Sequence, residues 1–377
     1  SVMLMASGFD RSTAATSVVP LVYRSSAGGY TWLKHTKGPT GGATTFVFTG
    51  VNPAVSDLLV IDATTALIGT QGAAGADNAV SLSTDGGKIW NAVSLVNETN
   101  ASIDDLELSP NLFVAVSGTS NDSIWRLDGT NWERVFSGST FANATTTYSV
   151  QETPAGDAMF AADIGGTTIW RSADNGQTWT AQTNAVPGAI SDFVVIDSNN
   201  LIVGGPANTV YTTATNGGFW FTVAVAAGTI QDLAYDQGTG HLLVGGTANI
   251  FRSINSGVAW TAVTTPLTAA ITATSLAFSN SYATDDMFYA SGNDATGNAG
   301  VWSYDYDLNA AGTVIGWSTA RIDGGGNTAD VNAATGMVTA SGGGTNNVIY
   351  VADAALGEGV SRIRAPRTTA EGMQDAV

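Results

Sequence analysis

The sequence has no cysteine. Disulfides, thiolate nucleophiles and thiolate-held zinc or iron–sulfur centres are therefore excluded, although this absence alone does not fix the compartment. Basic residues are scarce, with 13 Lys and Arg against 31 Asp and Glu and a formal net charge of -18. That balance argues against a nucleic-acid groove, which needs clustered cations. It also argues against a basic lipid-surface binder. No apolar run is long enough to cross a bilayer. The opening "SVMLMASGFD" lacks a positively charged n-region and a long h-region, so the chain reads as processed or excised. What is present is 44% hydrophobic residues, ample for a large core, and only 12% charged residues. Gly, Ala, Thr, Ser and Asn dominate the remainder, a composition suited to an extracellular or cell-wall protein.

A repeat runs through the chain. Each copy has a short apolar strand, a polar gap, an aromatic-Arg-Ser strand, a tight turn and a strand led by Trp. Clear copies are "AMFAADIGGTTIWRSADNGQTWTAQTN" from Ala158 and "HLLVGGTANIFRSINSGVAWTAVTT" from His241. The repeating tryptophans are Trp32, Trp90, Trp132, Trp179, Trp220, Trp260 and Trp317, with successive differences of 58, 42, 47, 41, 40 and 57. An eighth copy has Tyr350 and no Trp. The shorter spacings match a four-stranded propeller blade, and the longer ones imply insertions. Period-2 alternation predicts strands, and no helical stretch of ten or more residues is visible. A further strand precedes most copies, as in "VSDLLVID" and "ISDFVVID". The first copy lacks one, while the chain ends on the similar "GMQDAV". The expectation is an all-β, single-domain propeller over 1–377. It would have eight four-stranded blades (seven is the alternative), closed by the C-terminal strand pairing with the N-terminal blade.

The turn reads "SADNGQTW" at Ser172, Asp174, Gly176 and Trp179, and "STDGGKIW" at Ser83, Asp85, Gly87 and Trp90. It reads "SINSGVAW" at Ser253, Asn255, Gly257 and Trp260. Degenerate forms occur at Ser25–Trp32 and Thr213–Trp220, and a shortened one at Arg126–Trp132. The pattern resembles the Asp-box, the Ser-x-Asp-x-Gly-x-Thr-Trp repeat of bacterial neuraminidases. Sortilin-type receptors, xyloglucan hydrolases and photosystem II assembly factors carry it too. The resemblance implies a hairpin between third and fourth strands, away from any active centre. Residue chemistry agrees. Asp or Asn accepts N–H bonds within a turn, Gly supplies unusual dihedrals, and Trp fills the wedge between blades.

A second series places Asp57, Asp105, Asp192, Asp232, Asp330 and Asp375 at the starts of inner strands, with Ser149 and Ser275 at equivalent places. One reading makes each Asp a cap or a bond to the next blade. The other makes them weak candidates for a carboxylate funnel holding Ca2+; no other cofactor is indicated. The neuraminidase resemblance implies an Arg-Ile-Pro motif, which is absent. Arg24, Arg171 and Arg252 precede the turns and read as blade packing. A glycoside hydrolase needs two carboxylates about 5–10 Å apart, and Asp104, Asp105, Glu107, Asp285 and Asp286 are available. Adjacent strand residues face opposite ways, so Asp104 and Asp105 are expected not to share a face. The two histidines, His35 and His241, lie in different copies, which excludes a His-rich metal site.

Asn97, Asn100, Asn121 and Asn143 match the N-glycosylation pattern. Loops are expected at 37–54, 91–101, 279–298 and 303–316. In the last of these, "SYDYDLN" reads as a binding loop or as a solvated segment that replaced a box. The sequence thus points to a non-catalytic, secreted propeller in cell-surface assembly or adhesion, including a surface-layer role. Its partners would be other surface proteins, copies of itself or glycans, with no nucleic acid and no membrane insertion. The alternative is a carbohydrate-active enzyme using a funnel-lining carboxylate pair.

Overall fold

The computed structural model of the chain describes residues 3–7, 21–26, 32–39, 55–70, 78–96, 102–109, 111–117, 122–129, 131–138, 147–263, 272–293, 299–308, 314–317, 334–340, 347–353, 360–365 and 374–375. Among these residues the strands form eight antiparallel sheets, numbered here 1 to 8 in chain order. They span 3–34, 55–96, 102–138, 147–181, 192–224, 230–262, 272–317 and 334–375. Sheet 1 has three strands and each of the others has four, paired in sequence order as an up-and-down meander. Short β-rich runs cannot bury a face alone, and the meander joins them with the shortest connections. One single-turn helix, Tyr282–Asp285, interrupts sheet 7. By contacts the chain divides into two compact units, Ser1–Gln182 with sheets 1–4 and Thr183–Val377 with sheets 5–8.

Within each unit the core lies between consecutive sheets. In the first unit Trp90 is buried with Val22, Ala66 and Ile68, from sheets 1 and 2. Trp132 packs on a cluster that includes Leu67, Val80, Leu106 and Val114, from sheets 2 and 3. Trp179 packs on Phe113, Tyr148 and Met159, from sheets 3 and 4. In the second unit Trp260 caps a cluster with Ile202, Val210, Leu233 and Leu242, from sheets 5 and 6. Each burial removes a large apolar side chain from water, a contribution of about 1.5–3 kcal/mol.

Closure differs from expectation. Gln374–Asp375 pairs with Val360–Ala365 as the fourth strand of sheet 8. It does not join sheet 1, whose strands Met3–Ser7, Leu21–Ser25 and Leu33–Lys34 match the second to fourth strands of the other sheets. A return to the adjacent strand closes a far shorter loop and satisfies an open edge. Asp375 is therefore on an outer strand rather than in the inner-strand series. Three expected loops also contain strand, and in 279–298 it is Met287–Asn293, the second strand of sheet 7. Asn91–Val96 is the fourth strand of sheet 2, and Ala299–Leu308 with Val314–Trp317 forms the outer half of sheet 7.

Candidate functional site

The eight-residue turns lie between third and fourth strands, where local chemistry holds them. Ser172 Oγ accepts from the Gly176 N–H at 2.8 Å and donates to Asp174 Oδ1 at 2.8 Å. Asp174 in turn accepts from the Thr178 N–H and hydroxyl. These bonds, the Thr178 hydroxyl first, hold the Asp174 carboxyl down at about 2. Ser83 and Asp85 repeat the scheme with Gly87, Lys88 and Ile89. Asn255 in the Asp place still accepts from Ser253 and the Ala259 N–H. Thr213 and Thr215 do the same for Gly217 and Phe219. The indole N–H of Trp90, Trp179 and Trp260 folds back onto the glycine carbonyl of its own turn. That glycine is obligatory. Gly176 has φ +72°, and a Cβ there would stand 2.2 Å from the Phe113 ring of the preceding sheet.

The inner-strand carboxylates stitch neighbouring sheets. In the first unit Asp57 accepts from the Leu58 N–H with one oxygen and from the Leu106 N–H of sheet 3 with the other. Asp105 accepts from its own Leu106 N–H, and from the Val150 N–H and Ser149 hydroxyl of sheet 4. In the second unit Asp192 accepts from the Phe193 N–H and from the Leu233 N–H of sheet 6. Asp232 accepts from the Leu276 N–H, beside Ser275, in sheet 7. Ser149 and Ser275 thus stand where the sequence pattern puts them. Asp330 lies outside the described residues, and so does the side chain of Asp375.

A recurring irregularity aims these groups. The pairing register slips just before the carboxylate position in sheets 2, 3 and 6, and before Ser275 in sheet 7. Such a bulge adds one residue to the inner strand and re-aims the side chains after it. It also overturns the expectation for Asp104 and Asp105. Both reach the same neighbouring strand, Asp104 to the Tyr148 N–H and Asp105 to Val150, because the bulge breaks the two-residue alternation.

These carboxyls are half-buried and hard to ionise. Burial pushes Asp105 up to about 6, with the Asp57 charge adding to it and the Val150 N–H opposing. Burial and the Asp105 charge push Glu107 up to about 7. Burial and the Asp232 charge push Asp192 up to about 7, and burial pushes Asp232 up to about 6. Among the described residues no three His, Asp or Glu side chains converge in a way that could hold a metal ion.

In the first unit two arginines before the turns bolt one sheet to the next. Arg24 Nε donates to the Gly86 carbonyl in the turn of sheet 2. Arg126 Nη1 donates to the Asn175 carbonyl in the turn of sheet 4 while pairing with Glu133. Arg252 of sheet 6 faces sheet 7, where the box has been lost, and its environment is different. Its guanidinium lies 3.8 Å from the Tyr306 ring centroid and 5.6 Å from that of Tyr282. It meets Asp286 at 3.5 Å and donates to His241 Nδ1 at 2.9 Å. Arginine can only donate, so Nδ1 accepts and the imidazole proton sits on Nε2. Tyr282 also bonds Nδ1, at 3.0 Å. Burial, then the Arg252 charge, lowers the His241 pKa. Burial pushes Tyr306 up to about 12.

"SYDYDLN" is therefore no solvated loop, since Tyr304 is buried and Tyr306 carries the arginine. The sequence did hold a signal for this cluster, because a pre-turn arginine is retained where the next repeat has no turn to receive it. Asp285 is occupied by the Ser279 hydroxyl and the Met287 N–H. His35 bonds the Val22 backbone. Asn97, Asn100, Asn121 and Asn143 lie outside the described residues. Among the described residues no helix is long and apolar enough to cross a membrane.

No protein-family profile matches the chain, and no curated protein sequence matches it. Solved structures do. Sqt1 of Saccharomyces cerevisiae superposes with a TM-score of 0.61 at 13% identity, covering 92% of this chain and 90% of that one. A putative 6-phosphogluconolactonase from Bacteroides uniformis matches with a TM-score of 0.50 at 12% identity, covering 84% of this chain and 95% of that one. The extracellular domain of BT4673 from B. thetaiotaomicron matches with a TM-score of 0.50 at 12% identity, covering 88% of this chain and 40% of that one. At such identities the likeness carries the fold alone, and that fold is a β-propeller.

Proposed function

We propose that the chain is one secreted, non-catalytic propeller of eight blades that serves in assembly or adhesion at a cell surface, including within a surface layer. The observation that carries this reading is the bonding of the inner-strand carboxylates. Asp57, Asp105 and Asp192 each accept from their own strand and from the next sheet. Groups spent on backbone N–H donors hold blades together and leave little for substrate. The net charge of -18 and the absence of cysteine fit a soluble, acidic surface component. Its partners are surface proteins or copies of itself, with glycans attached or bound. Ca2+ has no described site built for it in this reading.

One observation favours the enzymatic alternative. Glu107 is pushed up to about 7 beside Asp105, and its described contact with the Glu152 N–H is long, at 3.4 Å. A proton held near neutral pH is what a general acid requires. The test is release of reducing ends from a panel of oligosaccharides by the protein and by its Glu107→Gln and Asp105→Asn variants. No release above background, together with protease accessibility on intact cells of the source, supports the surface reading. Hydrolysis that a folded Glu107→Gln variant loses would replace it with the enzyme.

A further inference from the structure

Four large apolar side chains stand out of the second unit at the turn-bearing end of sheets 5 and 6. Phe219 is 57% exposed, Phe221 56%, Ile254 65% and Val258 76%. They sit on and beside the turns of two consecutive sheets. The Phe219 and Phe221 rings meet edge-on at 4.7 Å. Phe221 is the cross-strand partner of Thr212, so both side chains leave the same face of sheet 5. Gly257 packs on that face, since a Cβ there would stand 3.5 Å from Thr212 Cγ2 and 2.6 Å from Ile202 Cδ1. Ile254 and Val258 belong to the same turn as Gly257.

The patch is also free of charge in a strongly acidic chain. Residues 198–231 and 253–284 contain no Asp, Glu, Lys or Arg. Even the pre-turn arginine is missing, because Thr212 takes its place in sheet 5. Charge stands at the edges, where the Asp197 hairpin bonds the sheet-5 turn through Asn199 and Asn216 and where Arg252, paired with Asp286, precedes the sheet-6 turn. Elsewhere exposed apolar side chains sit among charges, as Ile89 does beside Lys88 and Lys37.

We infer that this patch is a self-association surface, on which a second copy of the same chain docks. Two molecules of net charge -18 repel one another wherever acidic surfaces meet. A charge-free apolar face is where they approach with least repulsion, and a two-fold contact would lay the Phe219–Phe221 pair against its own copy. The four side chains expose roughly 450 Å² together, taking ~150–250 Å² for a large aromatic or aliphatic residue. A stable interface covers about 800 Å² per partner. The contact is therefore weak in isolation and strengthens by multivalency in an array. This inference rests on the assembly reading above and names its partner.

Sedimentation equilibrium of the intact chain at low and high salt is the test. The expected result is a dimer with a Kd of about 10–100 μM, tightening several-fold as salt screens the repulsion. Phe219→Asp with Val258→Asp should weaken it at least about tenfold. Val258→Lys, which lowers the net charge, should weaken it as well. Leu33→Asp, an equally exposed position in the first unit, should leave it unchanged. Circular dichroism confirms that each variant is folded. A monomer at all salt concentrations overturns the inference, and so does a dimer indifferent to the patch variants. A monomer whose Phe219 and Phe221 signals shift on adding an oligosaccharide assigns the patch to a sugar and overturns it too. Such failures leave the surface reading standing, whereas glycan hydrolysis would sink that reading whatever the oligomeric state.

Discussion

Stability should fall as pH rises from about 5 to about 8, and Asp192→Asn should flatten that slope. Asp192 titrates near 7 in the fold against 3.8 for an unperturbed aspartate. The folded state keeps a proton that the unfolded state has released. Its contribution is complete below about 3.8 and is lost as pH rises through about 7. Raising the carboxyl from 3.8 to about 7 corresponds to about 4 kcal/mol, and halving it for the solvent that still reaches this half-buried group leaves ~2 kcal/mol. Asp105, Asp232 and Glu107 act in the same direction. Asp174 and Asp62, both held at about 2, act only below pH 4 with the opposite sign. His241 opposes the carboxylates, because its lowered pKa stabilises the fold above 6.5 and that contribution fades as pH falls. The difference between wild type and Asp192→Asn cancels the histidine. The asparagine keeps one acceptor for either the Phe193 or the Leu233 N–H, a loss that does not depend on pH. Urea midpoints followed by tryptophan fluorescence from about pH 4.5 to 8.5 read the effect. A wild type more stable at pH 8 than at pH 5, or a variant with an unchanged slope, would refute the reasoning.

Four further outcomes are expected. Gly176→Ala should destabilise by about 3 kcal/mol, combining a left-handed backbone with a Cβ against Phe113, whereas Gly129→Ala, left-handed but with open space around it, should lose only about 1 kcal/mol; thermal melts compare the two. Asn255→Ala should remove about 1 kcal/mol by orphaning the Ala259 N–H, while Asn255→Asp keeps the acceptor and should match wild type in the same melts. Arg252→Lys should lower stability by about 1–2 kcal/mol, through loss of the flat stack on Tyr306 and of the bond to His241. Nitrogen NMR on the wild type should find His241 protonated on Nε2, with a pKa below 6.5.

What was legible in the sequence is what depends on residues close together in the chain. The turns need only Ser172, Asp174, Gly176 and Thr178 within seven positions, so their place between third and fourth strands follows from the string itself. Strand periodicity and the spacing of the tryptophans likewise determine a repeated four-stranded unit and the wedge each indole fills. The positions of Asp57, Asp105, Asp192 and Asp232 were also visible as a period. Their use stayed open between a cap or bond to the next blade and a Ca2+ funnel, because the second acceptor bond of each reaches a backbone N–H 41 to 49 residues away. A one-residue bulge redirects Asp104 and Asp105 to one neighbouring strand, and no local pattern announces it. Arg252 reads as one more packing arginine until the neighbouring sheet is known to offer Tyr306 and Asp286 in place of a turn. "GMQDAV" suits an inner or an outer strand equally well by pattern. Only the tertiary structure decided for the outer place, because an open edge one short loop away costs less chain entropy than one at the far end of the chain.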